Sequence, residues 1–133
     1  MAKKKIKKVL IVDDCPNDTL LVTGLLERSF RSKIHTVNSI KEAKVMLLSE
    51  RFDIVTLDGR LPCLLTGGFG HRLVPLIKEN QSTDCKIIMI SGERQYLDAG
   101  IEIGAHAAIS KYDIQESIKL NHLFQLVPHV SIT

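Results

Sequence analysis

Cysteine is scarce in this 133-residue chain: three residues, at positions 15, 63 and 85, with no C-x-x-C spacing and no even set to pair. That excludes a disulfide-stapled scaffold and a structural zinc site, and makes a reducing, cytoplasmic setting the expectation. Long apolar runs are missing too. The first, Val9–Val12, ends at once in Asp13 and Asp14, too short for a signal-peptide core or a membrane span. Nor is there an internal repeat, or a biased segment beyond a lysine-rich start. The net charge of +3 comes from that start: Lys3, Lys4, Lys5, Lys7 and Lys8 are five of the 18 basic residues, and the other 13 face 15 acidic ones. The body is therefore mildly acidic, and neither nucleic-acid binding nor membrane insertion is expected of it.

What is present is enough apolar material, 44% of residues, for one domain with a core of its own. Short apolar runs at Val9–Val12, Ile54–Leu57, Ile87–Ile90 and Ala107–Ile109 do not alternate with polar residues. This is the pattern of strands covered on both faces in a parallel sheet. A fifth run, Ile34–Val37, is more polar and reads as an edge strand. Segments with helical spacing lie between the runs. Pro16 opens one, with Leu21/Leu25 and Val22/Leu26 at four-residue spacing. Ser39 and Glu42 form a capping box ahead of Ile40, Ala43 and Leu47. Leu97, Gly100 and Ile101 share a face before Gly104 stops a helix over 93–103. Leu120, Leu123, Phe124 and Val127 mark a last helix over 113–127, ended by Pro128. Pro62–Gly70 fits neither period and reads as a loop, and Pro75 keeps the helix after it short or bent. Five strands alternating with five helices predict an α/β, doubly wound, five-stranded parallel sheet with helices on both faces. The domain is expected over 6–127, between a basic leader (1–5) and a tail (128–133).

Ligand chemistry in such sheets gathers at the carboxyl ends of the strands. Strand one ends in Asp13-Asp14, strand three in Asp58, strand four in Ser91 and strand five just before Lys111. With strand order 2-1-3-4-5, the three carboxylates converge. Two carboxylates about 4 Å apart repel by about 4 kcal/mol at an effective dielectric near 20, so such a cluster protonates, binds a cation or is neutralised by a lysine. All-oxygen donors beside a lysine point to Mg²⁺ rather than a soft metal. An Asp-Asp pair alone would be weak, because aspartates also cap helices. An acid pair, an acid, a small hydroxyl and a lysine at four strand ends make a stronger constellation.

Four blocks carry a specific likeness: Lys8-Val9-Leu10-Ile11-Val12-Asp13-Asp14, Thr56 to Pro62, Ile88-Met89-Ile90-Ser91-Gly92, and Gly104-Ala105 through Ile109-Ser110-Lys111. Together they resemble the response-regulator receiver domain of two-component signalling. The resemblance implies a flavodoxin-like fold and an aspartyl-phosphate site fed by a sensor histidine kinase or a histidine phosphotransfer protein, with output through an unknown downstream protein. Carried over block by block, it makes Asp58 the phosphoacceptor. It makes Asp13, Asp14, Asp58 and the main-chain carbonyl of Arg60 the Mg²⁺ ligands, and Ser91 and Lys111 the contacts to the phosphoryl group. The chain would then be a stand-alone switch acting only on its own phosphorylation, not an enzyme on other substrates.

The sequence departs from that family where the signal would leave the pocket. Many receivers carry Tyr or Phe three residues before the lysine and Pro after it; here those positions are Ala108 and Tyr112. A receiver-like binding module that is not phosphorylated is therefore an alternative. A Mg²⁺-dependent phosphohydrolase fits less well, because Arg60 stands where a second Asp would supply a general acid.

Overall fold

The computed structural model describes residues 6–61 and 68–113. Its elements are β1 (Lys7–Val12), α1 (Pro16–Ser29), β2 (Ser32–Val37), α2 (Ile40–Ser49), β3 (Ile54–Asp58), β4 (Arg60–Leu61), β5 (Gly68–Phe69), α3 (Leu73–Asn80), β6 (Lys86–Ser91), α4 (Arg94–Glu102) and β7 (Ala107–Ser110). The main sheet is parallel throughout, in the order β2-β1-β3-β6-β7. That is the expected 2-1-3-4-5 arrangement, with β2 at an edge. The leader over 1–5, the helix expected over 113–127 and the tail over 128–133 lie outside the described residues, apart from Asp113 at its start.

Alternate residues of each central strand face opposite sides of the sheet, and both sides are apolar. Leu10, Val12, Val55, Leu57, Ile87 and Met89 meet Ala43 and Leu47 of α2 and Leu73, Val74 and Ile77 of α3. Val9, Ile11, Ile54, Ile88, Ile90 and Ile109 face the other side, where Val22 and Leu26 of α1 join them. Burying one such Leu or Ile contributes roughly 1.5–3 kcal/mol. Both β3 and β6 are buried along their whole length, which is why their runs do not alternate.

The helix boundaries follow from local chemistry. Pro16 is the first residue of α1, where its missing N–H costs nothing. Ser39 Oγ accepts the Glu42 N–H at 3.2 Å, while the Glu42 carboxylate accepts the N–H of Asn38 at 3.4 Å, one residue earlier than a strict capping box. At the end of α4, Gly104 takes φ +116°. The Ala105 N–H reaches the Gly100 carbonyl and the Gly104 N–H that of Ile101, the pair of bonds that makes a left-handed glycine cap.

Some expectations fail in detail. Leu21 and Ile101 share helix faces with core residues in the sequence pattern, yet both stay exposed, and Val22/Leu26 and Leu97/Gly100 face the core. A single-turn spacing rule has too little angular resolution to choose between adjacent residues. The helix carrying Pro75 is short, as expected: α3 has eight residues, with Pro75 in its first turn, and is entered through a 3₁₀ turn at Gly70–Arg72. Gly68–Phe69, within the stretch read as loop, pairs antiparallel with Arg60–Leu61 just before it; a two-residue ladder leaves no periodicity to detect. Residues 62–67 lie outside the described set. Among the described residues no helix is long and apolar enough to cross a membrane.

Candidate functional site

Strand register brings the expected residues together. The Asp13 N–H extends the β1–β2 pairing by bonding to the Val37 carbonyl, and its carboxylate accepts the Cys15 N–H at 2.9 Å. This local turn fixes Asp13 at 7% exposure and leaves Asp14 toward solvent. Asp58 closes β3 and is buried. One carboxylate oxygen from each of Asp13, Asp14 and Asp58 lies within 4.8 Å of the others.

Lys111 follows β7, its N–H bonded to the Ser91 carbonyl that ends β6. Its ammonium lies 3.1 Å from Asp58, 3.6 Å from Asp13 and 2.9 Å from Asp18. The Ser91 hydroxyl, also buried, accepts the Glu93 N–H at 3.1 Å. Arg60 begins the small hairpin two residues beyond Asp58.

The charges are in tension. Burial, then the charge of Asp13 and a hydrogen bond with Asp14, push the Asp58 carboxyl up to about 7, although Lys111 pulls the other way. Asp13 is also raised, chiefly by burial, against the Cys15 hydrogen bond and Lys111. Burial alone would depress the Lys111 ammonium. Its hydrogen bond to Asp18 and the charges of Asp58 and Asp13 outweigh that and hold it above the ordinary lysine value. Lys111 is thus a permanent internal counter-charge, but one ammonium faces four acids. Three hard oxygen donors around an uncompensated negative charge fit a divalent cation such as Mg²⁺.

Two residues of the site were not singled out from sequence. Asp18 is the nearest partner of Lys111; its place five residues after Asp13, on the first turn of α1, was the available signal. Gly70 lies against the backbone of Asp58: its N–H bonds to the Gly59 carbonyl at 3.1 Å, and a Cβ there would stand 1.7 Å from the Asp58 carbonyl oxygen. Only glycine permits that approach. By contrast, burial pushes the Cys85 thiol up to about 12, which makes it inert near neutral pH.

Known proteins share this fold. The family model for the response regulator receiver domain matches residues 9–121. No curated protein matches the sequence. Among solved structures, the response regulatory domain of protein mrkE from Klebsiella pneumoniae is similar with a TM-score of 0.80 at 18% identity, over 93% of this chain and 97% of that one. The BeF3-activated DrrB receiver domain from Thermotoga maritima gives 0.74 at 21% identity, over 94% and 99%. A response regulator from Burkholderia pseudomallei, solved with a phosphorylated aspartic acid, a calcium ion and citrate, gives 0.63 at 22% identity over 79% of this chain. This chain spans 59% of that protein's length.

Proposed function

The chain belongs to the response-regulator receiver family, and from that premise we propose that it is a cytoplasmic receiver whose Asp58 accepts a phosphoryl group from a sensor histidine kinase or a histidine phosphotransfer protein. The observation that carries this reading is the buried Asp58 carboxylate held 3.1 Å from the Lys111 ammonium, with two further carboxylates beside it.

Asp13, Asp14, Asp58 and the main-chain carbonyl of Arg60 are the groups that would hold Mg²⁺, whose charge when bound offsets that of the phosphoryl oxygens. The residues of the chain do the rest. An Asp58 carboxylate oxygen attacks phosphorus. The phosphorus–nitrogen bond of a phosphohistidine donor breaks, its electron pair leaves on the imidazole nitrogen, and the imidazole takes up a proton. The product is a mixed anhydride on Asp58. Lys111, tethered by Asp18, stays beside the new charge, and Ser91 donates its hydroxyl hydrogen to a phosphoryl oxygen. A downstream protein then reads the changed surface. Hydrolysis of the anhydride resets the switch, and no other substrate is turned over.

Incubation with acetyl phosphate and Mg²⁺, followed by intact mass, tests the reading. The expected result is one added phosphoryl group, labile to hydroxylamine and lost in Asp58→Ala. Modification on a serine or histidine would overturn the mechanism. Ala108, half-buried against the core where a switching ring is expected, favours the second reading, an unphosphorylated binding module; absence of any incorporation would select it.

A further inference from the structure

A phosphoryl group on Asp58 needs a route outward, and Ala108 offers no rotamer to switch. A different ring pair lies against the site. His71 and Tyr96 stack with centroids 6.4 Å apart and planes 20° from parallel, within the range of favourable aromatic contact. His71 follows Gly70 in the 3₁₀ turn before α3, and Tyr96 lies in the first turn of α4. Both are half-buried. Burial, with the charge of Arg72 adding to it, holds His71 below the ordinary histidine value, so a neutral ring faces the tyrosine.

Each ring is tied to the phosphoacceptor through main chain. On one side, the Gly70 N–H bonds to Gly59, the residue after Asp58. On the other, Ser91 Oγ accepts the Glu93 N–H, and the Glu93 carbonyl accepts the Tyr96 N–H at 3.1 Å. Gly59 is wedged between these arms: a Cβ there would lie 2.6 Å from Tyr96 Cβ and 2.7 Å from Ser91 Oγ. Gly59, Gly70, His71, Tyr96, Glu93 and Ser91 therefore form a closed circuit of contacts beside Asp58.

We propose that the Tyr96–His71 stack is the conformational reporter of this receiver, carrying the state of Asp58 to the surface between α3 and α4 in place of an aromatic on β7. The inference rests on Asp58 being the phosphoacceptor. A hydroxyl drawn toward a phosphoryl oxygen changes its bond to the Glu93 N–H. That bond anchors the first turn of α4, so Tyr96 moves with it, and the tight contact at Gly59 transmits the motion instead of absorbing it. The two states differ in contacts at Ser91 and at the ring stack, which is what a population shift requires. Tyr112 is the contrasting case: its ring passes near Gly92 but is 78% exposed, so solvent takes up its motion.

The chain has two tyrosines and no tryptophan, so 3-fluorotyrosine labelling yields two ¹⁹F resonances, assigned with Tyr112→Phe. With acetyl phosphate and Mg²⁺, the Tyr96 resonance should move by more than its linewidth and by more than that of Tyr112. In His71→Leu the Tyr96 shift should shrink while intact mass still reports the phosphoryl group. Phosphorylated protein with an unmoved Tyr96 resonance would overturn the reporter and leave the proposed function standing. No phosphoryl group by mass would overturn both.

Discussion

The two ends of the sheet are built on opposite principles. At the amino ends of the strands, the polar side chains of Gln81 and Asp53 are paired with main chain. The Gln81 side chain, 6% exposed, accepts the Phe52 N–H at 2.8 Å and donates to the carbonyls of Leu47 and Glu50 at 2.8 and 2.7 Å. Asp53 takes the Lys8 N–H with its carboxylate at 2.8 Å, returns its own N–H to the Lys8 carbonyl and accepts from Lys86. At the carboxyl ends, Asp13, Asp14 and Asp58 crowd together around one lysine. The same strands thus carry an end that stabilises the fold and an end whose residual charge is available for chemistry.

Substitutions can break this contrast from either side. Gln81→Ala strands one N–H and two carbonyls and leaves a void, and should cost about 3 kcal/mol in urea unfolding; the carboxylate pocket should survive in the folded fraction. A loss below about 1 kcal/mol would show that water replaces the side chain. Asp58→Asn acts in the other direction. It removes one of the repelling charges, and in chelator-treated protein near neutral pH should raise stability by about 1–2 kcal/mol. Mg²⁺ at a hundredfold excess over its Kd should add about 2.7 kcal/mol to the unmodified protein and much less to the variant. A melting curve indifferent to both changes would mean the carboxylates do not act as a cluster.

The smallest effect concerns pH at the amino end. His106 Nδ1 accepts the Ile87 N–H at 3.0 Å while the His106 N–H bonds to the Ile87 carbonyl. Burial and the nearby charges of Lys86 and Lys78 lower its pKa from 6.5. The unfolded chain therefore takes up the proton first, so this contribution is present above pH 6.5 and is lost as pH falls below it. Urea midpoints measured between pH 7.5 and 5.5 should decline more for the unmodified protein than for His106→Gln. Equal slopes would remove His106 from the account.

How much of this was legible from sequence depended on whether a feature was local. Strand ends are local: an apolar run followed by Asp, Ser or Lys fixes where the side chain emerges. Asp13, Asp14, Asp58, Ser91 and Lys111 could therefore be placed near one another once the strand order was supposed. Asp18 and Gly70 were missed because their roles depend on how α1 and the 3₁₀ turn sit over other strands. Gln81 was missed for the same reason, since its three partners are remote in sequence and each is main chain. The Tyr96–His71 stack joins two segments that α3 and β6 separate along the chain, and neither residue has a distinguishing pattern of its own.

Strands β1 and β3 are neighbours although α1, β2 and α2 separate them along the chain. Their pairing must wait for distant segments to meet, and until then Val9–Val12, Ile54–Leu57 and Ile87–Ile90 are uncovered. Such segments invite pairing between chains. Each is bracketed by polar or charged residues: Lys8 and Asp13, Asp53 and Asp58, Lys86 and Ser91. The carboxylates that crowd one another in the finished pocket thus guard the unfinished chain against aggregation. Asp58→Asn, more stable once folded, should scatter more light than the unmodified protein during refolding at high concentration.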